Sequence, residues 1–175
     1  MLVFRGSLYA DVSLKGDILN FLESLAAEWY ALQGYFVRTN IKANRRSNGG
    51  YNNEIDVLAF YPSSRKLVHL ETSWDALSWQ KREERYISKK FIFTENDYAE
   101  IIGTNPSSIQ KRAIIGTSIT QPKEVWGNDI EVTTVPNFIA EITEEIKTRH
   151  PMRDVVPETY PCLRSFQFAL AYGNK

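Results

Sequence analysis

Two acids in apolar surroundings are the residues of this chain best suited to chemistry: Asp56 within NEIDVLAFYP and Glu71 within KLVHLETSWD. A carboxylate in an otherwise apolar strand is expensive to bury unless something compensates it, and the usual compensation is a cation. Two such stretches in succession point to a site for a hard divalent ion held by oxygen ligands. Period-two alternation puts Glu54, Asp56, Leu58 and Phe60 on one face of the first strand. On the second it groups Leu67, His69, Glu71 and Ser73, so the carboxylates converge if the two faces coincide. His69 could there assist a water or a phosphate; the plainer reading is a hydrogen-bonded core residue.

Several elements must position this pair. Leu14, Ile18, Phe21, Leu22, Leu25, Trp29 and Leu32 recur at spacings of three and four, which predicts an amphipathic helix from about Ser13 to Gln33, with Gly34 stopping it. YFVRTNIKAN, from Tyr35, reads as a strand, followed by the Gly-rich connector RRSNGGYNN and then the two acidic strands joined by the polar turn PSSRK. An antiparallel meander is expected. A charged second helix is expected from Ala76 to about Ile102, then strands at AIIGTSI (from Ala113) and IEVTTV (from Ile130). FIAEITEEIKTRH follows as a helix with Asn137 as N-cap, and CLRSFQFALAYG as a last helix packing on the core. The expectation is a single domain, its core over residues 1–150 and a C-terminal extension over 151–175.

The chain has 175 residues, 43% of them hydrophobic, a size suited to one domain with a substantial core. Lys plus Arg equals Asp plus Glu at 21 each, which excludes the overall positive field of a general nucleic-acid binder, so such contacts must come from local patches. One is Lys42, Arg45 and Arg46 beside SNGG; the other is Lys81, Arg85 and Lys89, four apart on one helix face. An ordinary exposed hairpin loop and a solvated helix, paired internally through Glu83 and Glu84, are the plainer alternatives. The single Cys162 has no intramolecular disulfide partner, MLVFRGSLYA lacks the apolar run of a signal peptide, and no stretch approaches the roughly 18 apolar residues of a membrane span. A reducing, cytoplasmic setting is the expectation.

In their order along the chain these motifs resemble the PD-(D/E)xK nuclease superfamily, and within it the resolvase-like branch. AAEWYALQGYFV matches its N-terminal helix with Glu28, NEIDVLAFY supplies Glu54 and Asp56, and LVHLETSW supplies Glu71; the likeness spans roughly Lys15 to His150. The resemblance implies a restriction-endonuclease-like α/β fold: helix, three-stranded meander, helix and strand in a central mixed sheet flanked by helices. It implies a metal-dependent nuclease with nucleic acid as partner, DNA before RNA, and leaves a homodimer open. Mg²⁺ or Mn²⁺ would be held by Asp56, Glu71 and the carbonyl oxygen of Thr72, with Glu28 reaching the ion through water.

One departure stands out. The family has a Lys two residues after the Glu, thought to orient the attacking water and stabilise transition-state charge, and this chain has Ser73. Some members recruit that Lys from a neighbouring element, for which Lys42, Lys81 and Lys89 are the candidates. Without a replacement, the resemblance implies a catalytically inactive descendant that binds nucleic acid or a protein. A third reading is an unrelated α/β domain in which the acids are coincidental.

Overall fold

The computed structural model describes residues 20–116 and 123–173. Its first helix, α1 (Phe21–Leu32), is capped by the Asn20 side chain, which accepts from the Glu23 amide, and ends where Gly34 takes φ 89°. The expected portion of this helix from Ser13 to Leu19 lies outside the described residues.

Strands β1 (Phe36–Arg45), β2 (Tyr51–Tyr61) and β3 (Lys66–Ser73) form the antiparallel meander read from the sequence. The ladder between β1 and β2 skips a pair at Asn40 and at Asn44; both have positive φ, 52° and 55°, which Asn tolerates better than most residues. Asn40 is thus the residue of β1 opposite Asp56. Strand β4 (Ser108–Ile115) then pairs parallel with β3, β6 (Ile130–Thr134) pairs parallel with β4, and the two-residue β5 (Val125–Trp126) closes the edge antiparallel to β6. The result is an α/β chain with a six-stranded mixed sheet, order β1-β2-β3-β4-β6-β5, flanked by helices.

Alternation assigns the strand faces largely as expected. Val57, Ala59, Val68, Leu70 and Ile114 pack under α1, α4 (Val135–Ile146) and α5 (Pro161–Tyr172), the last being the helix foreseen in the tail. Leu58 and Leu67 turn to the other side, against Phe93 and Tyr98, and Ile55 joins them where β2 passes Asn40. Tyr86, Phe91, Ala113, Ile115, Trp126 and Ile130 fill the rest of that side.

Two expectations are corrected, and one strand is added. The helix expected from Ala76 to Ile102 is three pieces: α2 (Trp79–Arg85), a π-helical turn over Tyr86–Lys90, and α3 (Glu95–Ile102). Between them Phe91 and Phe93 are buried and Ile92 is exposed, the alternation of extended chain, and Thr94 with Asp97 forms a capping box that restarts the helix. The N-cap of α4 is Thr134 rather than Asn137, whose amide donates to the Thr134 hydroxyl, while Pro136 sits in the first turn, where no amide is required. The short β5 was not foreseen; two residues carry too little pattern to register.

Candidate acid and lysine site

Extending the pairing of Val57 with Leu70 by one step sets Asp56 of β2 beside Glu71 of β3. Both are buried: Asp56 is 8% exposed and Glu71 0%. Lys90, the last residue of the π turn, completes the cluster, its Nζ standing 3.2 Å from Asp56 Oδ1 and 2.5 Å from Glu71 Oε2. The turn is closed by the Phe91 amide donating to the Tyr86 carbonyl at 2.9 Å, the five-residue span of a π bond. Arg82, Tyr86 and Lys90 lie four apart on the inward face of this segment, whereas Lys81, Arg85 and Lys89 lie on the outward one.

The remaining oxygens are held firmly. Asp56 Oδ2 accepts from the Thr72 amide at 2.9 Å. Glu71 Oε1 meets His69 Nε2 at 2.9 Å, and His69 Nδ1 meets the Tyr98 hydroxyl at 2.7 Å. Glu71 Oε2 has no hydrogen-bond partner beyond its ion pair with Lys90, and the buried Tyr86 hydroxyl has none.

Burial governs the electrostatics. It pushes the Glu71 carboxyl up to about 7 although the Lys90 ammonium pulls the other way. Burial and then the neighbouring Glu71 raise Asp56 as well. Burial carries His69 down to about 3, so its imidazole is neutral at physiological pH. For Lys90 burial acts downward but is outweighed by the two carboxylates, which hold it charged.

The other residues singled out from the sequence are distributed as follows. Glu28 does not join the pair. Its carboxylate accepts from the amides of Cys162 and Leu163 at 3.2 and 2.9 Å, and so caps α5, whose own N-cap residue Tyr160 offers no side-chain bond. The acid of α1 that senses the pair is Glu23, raised by burial and then by the Asp56 charge; it stands about 140° around the helix from Glu28. Ser73 lies on the face of Glu71, but its hydroxyl donates to Asp75 Oδ2 at 2.5 Å. Asp75 also receives Arg82 and Arg85 at 2.9 and 3.1 Å. Burial acts upward on Asp75 and is outweighed by the bonds from Ser73 and Arg82, which hold its carboxyl low.

Lys42 pairs with Glu54 at 2.5 Å, and Arg46 donates to Asn52 at 2.6 Å. Arg45 belongs to β1, with its side chain outside the described set. Lys81 and Lys89 are exposed, and a 3.1 Å bond from Asn53 Nδ2 to the Lys89 carbonyl joins the β1–β2 arm to the π turn. Lys90, Glu23 and Tyr98 were not foreseen. For Lys90 a signal was present: it follows the aromatic Tyr86 by four residues, and Tyr86 marks the inward stripe.

Chemically, two carboxylate oxygens from neighbouring strands converge on one positive charge. Among the described residues no group of three or more His, Cys, Asp or Glu side chains forms a metal site. The donor set still fits Mg²⁺ or Mn²⁺, because such ions are commonly held by one or two carboxylates and complete their shell with water and phosphate oxygens. Glu71 Oε2, which meets only the Lys90 ammonium, is the oxygen best prepared for an ion. What fold and site define is thus an α/β chain with a mixed sheet whose central strands bury an acid pair around a lysine. Comparison with protein-family models and with curated proteins finds no match. No helix among the described residues is long and apolar enough to cross a membrane.

Proposed function

We propose that this chain is a metal-dependent nuclease-like domain of the PD-(D/E)xK type, acting on the phosphodiester backbone of nucleic acid. The observation that carries this reading is Lys90, whose ammonium lies within 3.2 Å of both Asp56 and Glu71 although it comes from a different element than the motif Lys. A charge at that point does what Ser73 cannot, stabilising the anionic transition state and orienting the attacking water. The element order supports the same fold: helix, antiparallel meander, helices, then a strand parallel to the third.

Asp56 and Glu71 would hold the ion, and the Thr72 carbonyl is a further oxygen beside them. The ion, when bound, lowers the pKa of a bound water and offsets charge on the phosphate. Glu23, rather than Glu28, is the acid of α1 on this side. Exposed Lys81 and Lys89, with Lys42 and Arg46 on the adjoining arm, supply positive charge for a backbone, DNA before RNA.

The test is cleavage of single- and double-stranded DNA and RNA by the purified chain with Mn²⁺, beside Lys90→Ala. Wild-type cleavage that falls about a hundredfold or more in the variant, with Mn²⁺ binding retained, is the expected outcome. Metal-dependent cleavage that survives Lys90→Ala refutes the assignment of Lys90.

A second reading has its own observation. Lys90 already satisfies both carboxylates from within the chain, as suits a descendant that keeps the fold for binding and has no need of an ion. That reading expects no cleavage under any metal and nucleic-acid binding insensitive to Lys90→Ala.

A further inference from the structure

The candidate ligand Glu71 is held by a buried chain of side chains outside the acid pair. Tyr98, His69 and Glu71 are each 0% exposed and come from α3 and β3. The Tyr98 hydroxyl lies 2.7 Å from His69 Nδ1, and His69 Nε2 lies 2.9 Å from Glu71 Oε1. The imidazole is wedged against Phe91 and Phe93, with ring centroids at 4.6 and 5.6 Å. A neutral ring has one N–H to give. An ionised Glu71 can only accept, so the ring proton belongs on Nε2, and Nδ1 is left to accept from Tyr98.

We infer that His69, held as the Nε2–H tautomer between Glu71 and Tyr98, is a positioning residue for Glu71: it occupies one carboxylate oxygen and thereby aims the other, Oε2, at the cation site. Glu71 carries three rotatable bonds between backbone and carboxylate, and without this donor Oε1 would have no partner in its buried setting. The carboxylate would then turn both oxygens toward Lys90, and its geometry toward an ion would loosen. Donors that orient a ligand in this way commonly govern metal affinity about 10- to 100-fold. The inference rests on the metal reading given above.

Two measurements on the full chain test it. In metal-free protein at about pH 9, where Glu71 is ionised, a long-range proton–nitrogen NMR spectrum is expected to show His69 protonated at Nε2 and bare at Nδ1, with its signal identified by its loss in His69→Gln. A proton on Nδ1 overturns the inference whether or not metal binds. The second is Mn²⁺ affinity by calorimetry. His69→Gln, which keeps a donor at the Nε2 position, is expected to bind within about threefold of wild type, and His69→Leu about 10- to 100-fold more weakly.

Equal weakening in both variants assigns the effect to packing and overturns the inference, as does wild-type affinity in His69→Leu. Wild-type protein that takes up no Mn²⁺ overturns the metal reading, and the aiming of an ion ligand with it. Should His69→Leu not fold, Tyr98→Phe replaces it: a few-fold loss of affinity is expected with the ring proton kept on Nε2 by Glu71, and unchanged affinity refutes the chain of positions.

Discussion

Replacing Glu71 by Gln keeps the shape of the side chain and removes its charge, and the consequence for stability can be worked from its burial. In the folded protein burial pushes this carboxyl from 4.5 to about 7; in the unfolded chain it keeps its ordinary value. Below pH 4.5 both states are protonated and Glu71 contributes fully. As pH rises toward 7 the unfolded state loses the proton first, so the native state binds more protons and stability falls. With 1.36 kcal/mol per pKa unit, this group removes about 3 kcal/mol across the window. Gln does not titrate. The difference in unfolding free energy, Glu71→Gln minus wild type, is therefore expected to move in favour of the variant by about 3 kcal/mol between pH 4.5 and 7. Urea unfolding of both proteins without divalent ions, at half-unit pH intervals, provides the assay, and taking the difference removes groups that titrate alike in both. A difference that changes by less than about 1 kcal/mol over the window would refute the reasoning, because Lys90 would then compensate the burial of Glu71 entirely.

His69 has the opposite sign. Its pKa is depressed from 6.5 to about 3 by burial, so its contribution is present above pH 6.5 and lost as pH falls toward 3; His69→Gln should gain on wild type by about 1.4 kcal/mol per unit of acidification through that range, and a constant difference would show a solvated imidazole. Asp56→Ala should abolish any rise in thermal midpoint produced by Mn²⁺, since an ion stabilises only the state that binds it; an unchanged rise places the ion elsewhere. Glu28→Ala should destabilise the fold by roughly 1 kcal/mol through loss of the α5 cap and leave Mn²⁺ affinity unaltered, whereas weakened metal binding at constant stability would return Glu28 to the site. Ser73→Ala removes the hydroxyl bonded to Asp75 and should lower stability by about 1 kcal/mol with cleavage kept within about threefold; abolished cleavage would show that Ser73 acts in the reaction.

The sequence by itself determined that β1, β2 and β3 form a meander and which neighbours share a face with Asp56 and with Glu71 on their own strands, whereas the register of β2 with β3 brought those two faces together. Strand alternation and turn residues such as Gly49, Gly50 and Arg65, all at positive φ, are local properties, written within a few residues of where they act. It also held the cue that breaks the second helix, the capping pair Thr94 and Asp97. Which lysine meets the acids was a different kind of question. Lys89 and Lys90 are neighbours in type and position, yet one faces water and the other the pair; a π turn decides between them, with Tyr86 and Phe91 at its two ends buried together beside Trp126. Glu28 and Glu23 divide likewise. Both acids lie on α1, and it is the docking of α5, some 130 residues further on, whose bare amides at Cys162 and Leu163 claim Glu28. Periodicity tells how far around a helix a residue points. What waits there, a cation or an unsatisfied helix end, is set by packing between segments distant in the chain, and only the tertiary structure decides it.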